Sequence, residues 1–392
     1  MRFPEFHGEW EKCKLGELAV KVGSGSTPKG GNAVYTTSGH CFVRSQNVGM
    51  GHLILNDIAY IDELTHQKQK STELRTNDVL LNITGASIGR TALATEEING
   101  GNVNQHVCII RTNGNVEPSF ICDYIQTSKI QKYIQSLQTG GSREGLNFEQ
   151  IRSFPINIPT VEEQVKIAKL LSLINERIAT QSKLIEDLKK LKSAIIDYAI
   201  NSLDTDFAKF SSLYEMAGEG GTPTTSNASF YDNGKIPFVK IDDLKKKYLT
   251  ENKDFITELG LQKSSAWLVP TRSILFSNGA TIGEITITTY PVCTKQGILG
   301  IVPKPNIDVE FLYYFMSSSY FRKAVSRIVT EGTMKTAYLK DINNIRCPIP
   351  KKEKQLDIAK MPSALNFKID FEQSILKLFG SQKQYLLRQM FM

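Results

Sequence analysis

The chain has 392 residues, of which 41% are hydrophobic and 22% are charged, and its formal net charge is +7. This composition is that of a globular protein, and the length predicts two to three domains that each bury a core. The mild positive charge permits a polyanionic partner. No run of 18 apolar residues exists, so the sequence predicts no membrane span.

The N-terminus and the cysteines indicate the compartment. Residues 1–14 are polar and aromatic and lack the apolar core of a signal peptide. The six cysteines form no C-x-x-C pair and show no regular spacing, which favours free thiols over a zinc site or a disulfide framework. We therefore expect a protein of the reducing cytoplasm.

The sequence contains an internal repeat, and its two copies lie 191 to 195 residues apart. The turn Gly23–Pro28 returns as Gly218–Pro223, and Gly85–Gly89 returns as Gly279–Gly283. Across residues 151–178 the spacing is fixed at 191, and 11 of the 28 positions are identical. Two similar halves indicate two similar binding acts.

Each copy begins with a region of short apolar runs and turns rich in Gly and Asn. Buried strands are predicted at residues 78–83, 107–110, 273–277 and 298–302. Helices packed on the sheet are predicted at residues 118–137 and 309–329. The predicted fold class is therefore α+β, present twice as a pseudo-twofold tandem repeat.

Each copy ends in a long helix. Residues 162–201 contain no Gly and no Pro, and they carry a seam at alternating spacings of four and three. The seam recurs 191 residues later with polar interruptions at the same places, Gln181 with Glu372 and Lys192 with Lys383. The apolar seam residues are Ile167, Leu171, Ile174, Ile178, Ile185, Leu188, Ile195, Ile358, Leu365, Ile369, Leu376, Phe379 and Leu386.

The matched interruptions favour two helices packed as an antiparallel coiled coil over two unrelated surface helices. Pro362 stands in the second copy where Leu171 stands in the first, so we expect the second helix to begin or kink there. The predicted segments are a first globular domain at 1–158, a central spacer helix at 159–202, a second globular domain at 203–349 and a C-terminal spacer helix at 350–392.

No motif of catalysis is present. The sequence lacks a G-x-x-x-x-G-K-[ST] phosphate loop and an H-E-x-x-H metal motif. All five histidines lie in the first half, so the two copies share no catalytic His. We expect no catalytic residue, no metal ligand and no cofactor in this chain.

Polar loops recur in both copies instead. Arg44–Asn47 follows a predicted strand, and Lys240–Asp243 is its counterpart. Arg bonds a guanine edge bidentately, Gln or Asn an adenine edge, and Asp a cytosine amine, so differing side chains at equivalent sites would read different bases. The Gly turns offer N–H groups and a hydroxyl suited to phosphate. Each loop taken alone is more typical of a polar turn that ends a strand, and only the recurrence of the loops across the repeat favours DNA binding for the set.

The candidate DNA-binding residues come from four loops in each copy. They are Arg44, Ser45, Gln46, Asn47, Thr84, Ser87, Asn104, Gln105, Ser142, Arg143, Lys240, Asp242, Asn278, Thr281, Lys295, Gln296, Thr333 and Lys335. Of these, Thr84, Ser87, Asn278 and Thr281 are expected near the phosphate backbone, and the others are candidates for base contacts.

The whole chain resembles the specificity (S) subunits of type I restriction–modification systems. The resemblance rests on two α+β regions that each open near a G-x-G-x-T-P turn, carry G-A-[ST]-I-G and close on I-x-I-P-x-x-x-E-Q before a long helix. The junctions Ile158–Gln164 and Ile349–Gln355 are its most specific part, except that Lys354 replaces the Glu. Residues 2–10 also resemble the N-terminus of such subunits.

The resemblance implies a non-catalytic subunit with two target recognition domains. Each would read one half of a split, asymmetric double-stranded DNA sequence, and the paired helices would set the gap between the halves. The resemblance further implies two methyltransferase (M) subunits that use S-adenosylmethionine to methylate adenine. Two restriction (R) subunits would complete an ATP- and magnesium-dependent endonuclease.

Two other classes of function stay open on the residues alone. One is a duplicated protein–protein adaptor without DNA readout, and the other is an enzyme that uses the Gly turns as a sugar or nucleotide site. Steeply salt-dependent DNA binding would distinguish a DNA reader from an adaptor.

Overall fold

The computed structural model describes residues 2–30, 34–138, 145–279, 281–329 and 335–391. Contacts within the chain divide it into two compact units. Unit 1 comprises Met1–Ser182 with Ser374–Met392, and unit 2 comprises Lys183–Gln373. Each unit therefore contains parts of both long helices.

The strands of unit 1 are β1 (Glu11–Lys14), β2 (Ala19–Ser24), β3 (His40–Val43), β4 (Ala59–Ile61), β5 (Val79–Asn82), β6 (Thr91–Leu93), β7 (Asn102–Val103), β8 (Val107–Thr112) and β9 (Pro155–Ile158). Its helices are α1 (Leu15–Leu18), α2 (Glu63–Lys68), α3 (Pro118–Ile125), α4 (Ser128–Ser136), α5 (Phe148–Arg152) and the first half of α6 (Val161–Asn201).

The strands of unit 2 are β10 (Phe207–Lys209), β11 (Tyr214–Glu219), β12 (Ile236–Val239), β13 (Tyr248–Leu249), β14 (Asp254–Ile256), β15 (Ile274–Ser277), β16 (Ile285–Thr288), β17 (Cys293–Thr294), β18 (Ile298–Pro303) and β19 (Arg346–Pro348). Its helices are α7 (Glu258–Gln262), α8 (Val309–Ser317), α9 (Ser319–Ile328), α10 (Leu339–Ile342) and most of α11 (Lys352–Met390).

The two units share one sheet topology, as the duplicated sequence predicts. In unit 1 an antiparallel sheet has the order β2-β8-β5-β6, and a second sheet has the order β4-β3-β7. In unit 2 the corresponding orders are β11-β18-β15-β16, extended by β13, and β14-β12-β17. The middle strand of each smaller sheet pairs antiparallel with one neighbour and parallel with the other. The α+β prediction is therefore confirmed for both copies.

The central strands are continuously apolar because both of their faces are buried. In β5, Val79 and Leu81 pack in one core cluster with the helix residue Phe120, while Leu80 packs in another with Val43 of the smaller sheet. The helix layer thus covers one face of the larger sheet and the smaller sheet covers the other. A strand buried on both faces has no reason to alternate with polar residues.

Each predicted core helix is in fact two helices. Thr127 separates α3 from α4, and its side chain accepts a hydrogen bond from the N–H of Ile130. Ser318 separates α8 from α9 and caps Phe321 in the same way. A hydroxyl at the N-cap stabilises a new helix start, and the apolar spacing had hidden this break.

The long helices confirm the predicted seam. All thirteen apolar seam residues are buried or half-buried. In unit 1, Ile167 and Leu171 near the start of α6 share a core cluster with Leu386 and Met390 near the end of α11. In unit 2, Ile196 near the end of α6 shares a cluster with residues from the start of α11. The two helices therefore run antiparallel.

The second helix was expected to begin or kink at Pro362, and the first of these alternatives is wrong. Helix α11 begins at Lys352, and Pro362 lies in its eleventh position with its side chain buried. Proline inside a helix removes one backbone hydrogen bond, and burial on the seam offsets that loss by removing apolar surface from water.

Candidate nucleic-acid interface

The first candidate loop of each unit is a short turn that we call the cation turn, Arg44–Asn47 in unit 1 and Lys240–Asp243 in unit 2. Each turn follows the middle strand of the smaller sheet. In unit 1 the backbone N–H of Arg44 donates to Asn47 Oδ1 at 3.0 Å. In unit 2 the N–H of Lys240 donates to Asp243 Oδ2 at 2.9 Å. The same local bond therefore shapes both turns while their other side chains differ.

The second candidate loop lies beside the cation turn because of the parallel strand pair. Strands β3 and β7 are parallel, so their carboxyl ends meet at one edge of the sheet, and β12 and β17 repeat this arrangement. The N–H of Asn104 donates to the carbonyl of Val43 at 3.0 Å, and the N–H of Lys295 donates to that of Val239 at 2.9 Å. The structure thus brings together two loops that are about 60 residues apart in sequence.

In unit 1 the cation turn is held by one aspartate. The Arg44 guanidinium donates through Nη2 to the carbonyl of Asp57 at 2.7 Å and to its carboxylate at 3.2 Å. The Gln46 amide donates through Nε2 to the same carboxylate at 2.7 Å. The guanidinium carbon also lies 5.6 Å from the ring centre of Tyr35. Two candidate side chains are therefore joined through Asp57.

In unit 2 the candidate loops line an open cavity of about 530 Å³. Five candidates from three loops contribute to its wall, namely Lys240, Asp242, Thr281, Lys295 and Gln296. Lys240 donates through Nζ to Asp254 at 2.7 Å. The cavity wall is thus rich in charged and amide groups that can meet a polar ligand.

Three candidate asparagines face the interior of their loops. Asn47, which is 1% exposed, donates to the carbonyls of Ile54 and Asp57, and Asn104 accepts from the N–H of His106. Asn278 is also 1% exposed and donates to the carbonyl of Ala337. Buried amides bonded to the backbone stabilise the loops, so we remove these three from the candidate interface.

The remaining described candidates lie at or near the surface. Ser45 and Ser87 are half-buried, and the Ser45 carbonyl accepts from Asn82. Thr84 is half-buried and bonds His106 Nδ1 at 2.5 Å, while Lys335 is exposed. The candidates Ser142, Arg143 and Thr333 lie outside the described residues.

Sequence inspection missed the residues that connect the loops. In unit 1, His106 bonds both Thr84 and Gln105, and Thr27 of the opening turn donates to the Gln105 amide oxygen. In unit 2, Thr222 of the matching turn accepts from the N–H of Gln296 at 3.2 Å. The repeated Thr-Pro turn was the available signal, since a threonine that recurs beside a turn indicates a shared contact.

The described residues offer no metal centre, since no group of three or more His, Cys, Asp or Glu side chains among them could hold an ion. Within the same residues, no helix is long and apolar enough to cross a membrane.

The chain matches the family described as "Type I restriction modification DNA specificity domain" twice, over residues 7–190 and 205–378. The putative type I restriction enzyme MjaX specificity subunit of Methanocaldococcus jannaschii is 23% identical over 94% of this chain and 89% of its own length. The type I restriction enzyme HindI specificity subunit of Haemophilus influenzae is 19% identical over 83% and 86%.

Two solved structures share the fold. One is a chain from a study of complex assembly and conformational transition in the type I restriction–modification system, with a TM-score of 0.60 and 16% identity over 99% of this chain and 98% of that chain. The other is the type I S subunit from M. genitalium, with a TM-score of 0.58 and 15% identity over 100% and 99%.

Proposed function

The chain belongs to the family of type I restriction–modification specificity subunits, which recognise DNA targets, and from this premise we propose how it does so. Each unit binds one half of a split, asymmetric duplex sequence through its cation turn and the loop beside it. The chain itself is not catalytic.

One observation carries this proposal. Both units place two polar loops together at one edge of the smaller sheet through the same backbone bonds, at Val43 and at Val239. The scaffold is repeated, but the side chains that it presents are not. Arg44 and Gln46 stand in one unit where Lys240 and Asp242 stand in the other. Different donors and acceptors on one frame suit the recognition of two different base sequences.

The remaining polar groups suit contacts to the DNA backbone. Ser87 and Thr281 lie on matching turns, and Thr281 is exposed in the cavity of unit 2. Hydroxyl and N–H groups bind phosphate oxygens without reading sequence, so these turns would fix the position of the duplex. Lys295 and Lys335 are exposed and add positive charge in unit 2.

We further propose that the chain docks two methyltransferase subunits and, through them, two restriction subunits. These partners would supply S-adenosylmethionine, ATP and magnesium. An exposed apolar stripe on α6 supports docking, because Leu184, Leu191 and Tyr198 recur every seven residues and are 40%, 48% and 77% exposed. Apolar residues at heptad spacing form one face of a helix, and exposed apolar patches mark interaction surfaces.

Footprinting of the full chain, co-purified with its methyltransferase partner, tests the DNA proposal. We expect protection of one bipartite sequence selected from random duplexes and a steep loss of affinity between 50 and 200 mM salt. Protection that is uniform over all sequences would contradict sequence recognition. Binding to the partner without any DNA affinity would favour the adaptor.

Alanine substitutions in the cation turns test whether each unit reads its own half of the DNA target. We expect Arg44→Ala to relax base preference in one half of the target by roughly tenfold, because each good base contact contributes about 1–3 kcal/mol of discrimination. Lys240→Ala is the matched variant and should alter the other half only. Simultaneous relaxation of both halves by either variant would contradict modular recognition.

A single charge on the stripe tests docking. Leu191→Asp places a carboxylate in the apolar stripe, so we expect loss of co-purification with the methyltransferase subunit. Ser193→Asp is the control, since Ser193 is exposed on the same helix outside the stripe. Equal co-purification of both variants would show that the stripe is not the docking surface.

A further inference from the structure

Asp57 and Asp254 are acidic residues beside the proposed DNA-binding side chains, where negative charge opposes binding to phosphate. Asp57 pairs with Arg44, and Asp254 pairs with Lys240. Asp57 lies two residues before β4, and Asp254 is the first residue of β14, so each aspartate stands at the start of the strand that pairs antiparallel with the middle strand. The pairing of a cation with an aspartate is thus repeated although the cation differs.

In unit 1 the geometry restricts what the cation turn can present. A carboxylate can only accept hydrogen bonds, so the Gln46 amide must turn its Nε2 towards Asp57, which leaves its Oε1 as an acceptor for another group. Arg44 uses Nη2 on Asp57, which leaves the two N–H groups of Nη1 for another acceptor. The turn therefore presents the remaining donors of Arg44 and the amide oxygen of Gln46 in an arrangement that Asp57 holds.

Several contacts keep this arrangement in place before DNA arrives. The Asp57 carbonyl accepts from Arg44 and from Asn47 Nδ2, so the segment that carries the carboxylate is itself bonded to the turn. The Arg44 side chain is only 22% exposed, whereas that of Asp57 is 80% exposed. The cation is thus confined while its acidic partner faces solvent.

In unit 2 the same pairing lacks this directional effect. Lys240 has a rotatable ammonium with three equivalent donors, so Asp254 neutralises charge without selecting a donor. Asp242 bonds Lys245 at 3.1 Å and is not held by Asp254. The side chains of Lys240 and Asp254 are 47% and 39% exposed, so this pair is also more open to solvent than Arg44.

We propose that Asp57 is a specificity-determining residue that fixes the hydrogen-bonding sense of Arg44 and Gln46, while Asp254 only neutralises Lys240. The proposal rests on the proposed function, since it concerns the base specificity of the same DNA-binding loops. By bonding Nη2 of Arg44 and Nε2 of Gln46, Asp57 lowers attraction to any phosphate and favours those base edges that match the groups these two side chains still present. Such preorganisation increases specificity by cutting the cost of ordering side chains on binding.

The test compares Asp57→Asn with Asp254→Asn in the full chain co-purified with its methyltransferase partner. The probes are a random duplex library for base preference and a random-sequence duplex for salt dependence. An Asn at 57 keeps the shape but can donate as well as accept, so Gln46 is free to turn over. We expect preference in the half-site of unit 1 to fall about tenfold, with the half-site of unit 2 unchanged.

The salt dependence supplies a second measurement. Each variant releases one cation for phosphate, so we expect log affinity for random duplex to fall more steeply with log salt, by about 0.9 in slope. For Asp254→Asn we expect this steeper slope alone, with preference in both half-sites kept within twofold. The difference between the variants separates orientation from neutralisation.

Three results would overturn the proposal. They are unchanged base preference in Asp57→Asn, equal weakening on every sequence with a lowered unfolding temperature, and loss of preference in Asp254→Asn to the same degree. The wild-type chain distinguishes this failure from failure of the proposed function. If the wild type selects no bipartite sequence, the proposed function is wrong, and that result is obtained before any variant is compared.

Discussion

The long helices of the two units are anchored by the same buried contact. In unit 1 the Gln164 amide accepts from the N–H of Glu117 at 2.9 Å and donates to the carbonyl of Pro159 at 2.8 Å. In unit 2 the Gln355 amide accepts from the N–H of Asp308 at 2.8 Å and donates to the carbonyl of Pro350 at 2.9 Å. The same glutamine amide contact therefore anchors the long helix in both units.

The cation turns differ as strongly as the anchors agree. Both turns occupy the same place in the fold, but Arg44 shares its aspartate with a glutamine, whereas Lys240 lies in an open cavity. Buried amides tolerate little change because every donor and acceptor needs its partner. Exposed side chains on a rigid frame can change without loss of the fold. The difference separates positions that stabilise the fold from positions that we propose for recognition.

Removal of the anchors should give the largest effect. Gln164→Ala and Gln355→Ala each leave a buried N–H and a buried carbonyl without a partner, so we expect each to lower the free energy of unfolding of its own unit by about 2–4 kcal/mol. Trp10 lies in unit 1 and Trp267 in unit 2, so variants with one Trp changed to Phe report each unit separately by fluorescence during urea unfolding. Losses that differ by more than about 2 kcal/mol between the units would show that the anchors are not equivalent.

An effect of similar size is expected in the pH dependence of stability, which should differ between the two units. Burial raises the pKa of Asp123 to about 7 although the Lys383 ammonium and the Gln126 amide oppose the shift. Gln126 connects the two charged groups, since it donates to Asp123 at 3.1 Å and accepts from Lys383 at 2.9 Å. Burial also lowers the pKa of Lys383. Tyr314, 191 residues after Asp123, has a pKa that burial raises further above neutral.

A carboxyl group whose pKa is raised by folding stabilises the folded state. This contribution is fully present below about pH 4 and is lost as the pH rises to about 7. We therefore expect unit 1 to lose about 4 kcal/mol across this window relative to an Asp123→Asn variant, measured by Trp10 fluorescence in the Trp267→Phe background. Tyr314→Phe should leave the profile of unit 2 unchanged over the same range. A profile of unit 1 that Asp123→Asn does not flatten would assign the pH dependence to other groups.

The sequence predicted the parts of the fold that depend on repeated patterns. The seam from Ile167 to Leu386 follows from heptad spacing, and the antiparallel pairing follows from interruptions that recur 191 residues apart. It did not predict that α11 continues through Pro362. The lost backbone hydrogen bond can be read from the sequence, but the burial that offsets it depends on the surface that packs against the helix. The helix starts after Thr127 and Ser318 were hidden because the apolar spacing continues across them.

The candidate interface was predicted less completely for a physical reason. Arg44, Gln46, Lys240 and Lys295 stay candidates, and they stand out in the sequence because they are polar groups on turns that are repeated. Asn47, Asn104 and Asn278 have the same residue type as a base-reading amide, yet they are buried and bonded within their loops. Only three-dimensional proximity shows that Asp57, 13 residues after Arg44, bonds its guanidinium.

The smallest effect concerns a groove beside the Gly turn of unit 1. A groove of about 420 Å³ is lined by Gly85, Ser128, Gln131 and Lys132, so one helix cation lies next to the turn expected at phosphate. Lys323 stands 191 residues after Lys132 and is also exposed on the matching helix. A cation that meets only phosphate carries no sequence information.

We therefore expect Lys132→Ala to weaken binding by about threefold on every duplex and to reduce the salt slope by about 0.9. Lys323→Ala should act equally, since both lysines occupy matching helix positions, and the double variant should show the sum of the two slopes. Titration of random and selected duplexes at several salt concentrations measures both quantities. A change in base preference in either variant would show that its lysine contacts bases and not only the DNA backbone. The variable side chains that carry base preference would then include a residue of the helix as well as those of the loops.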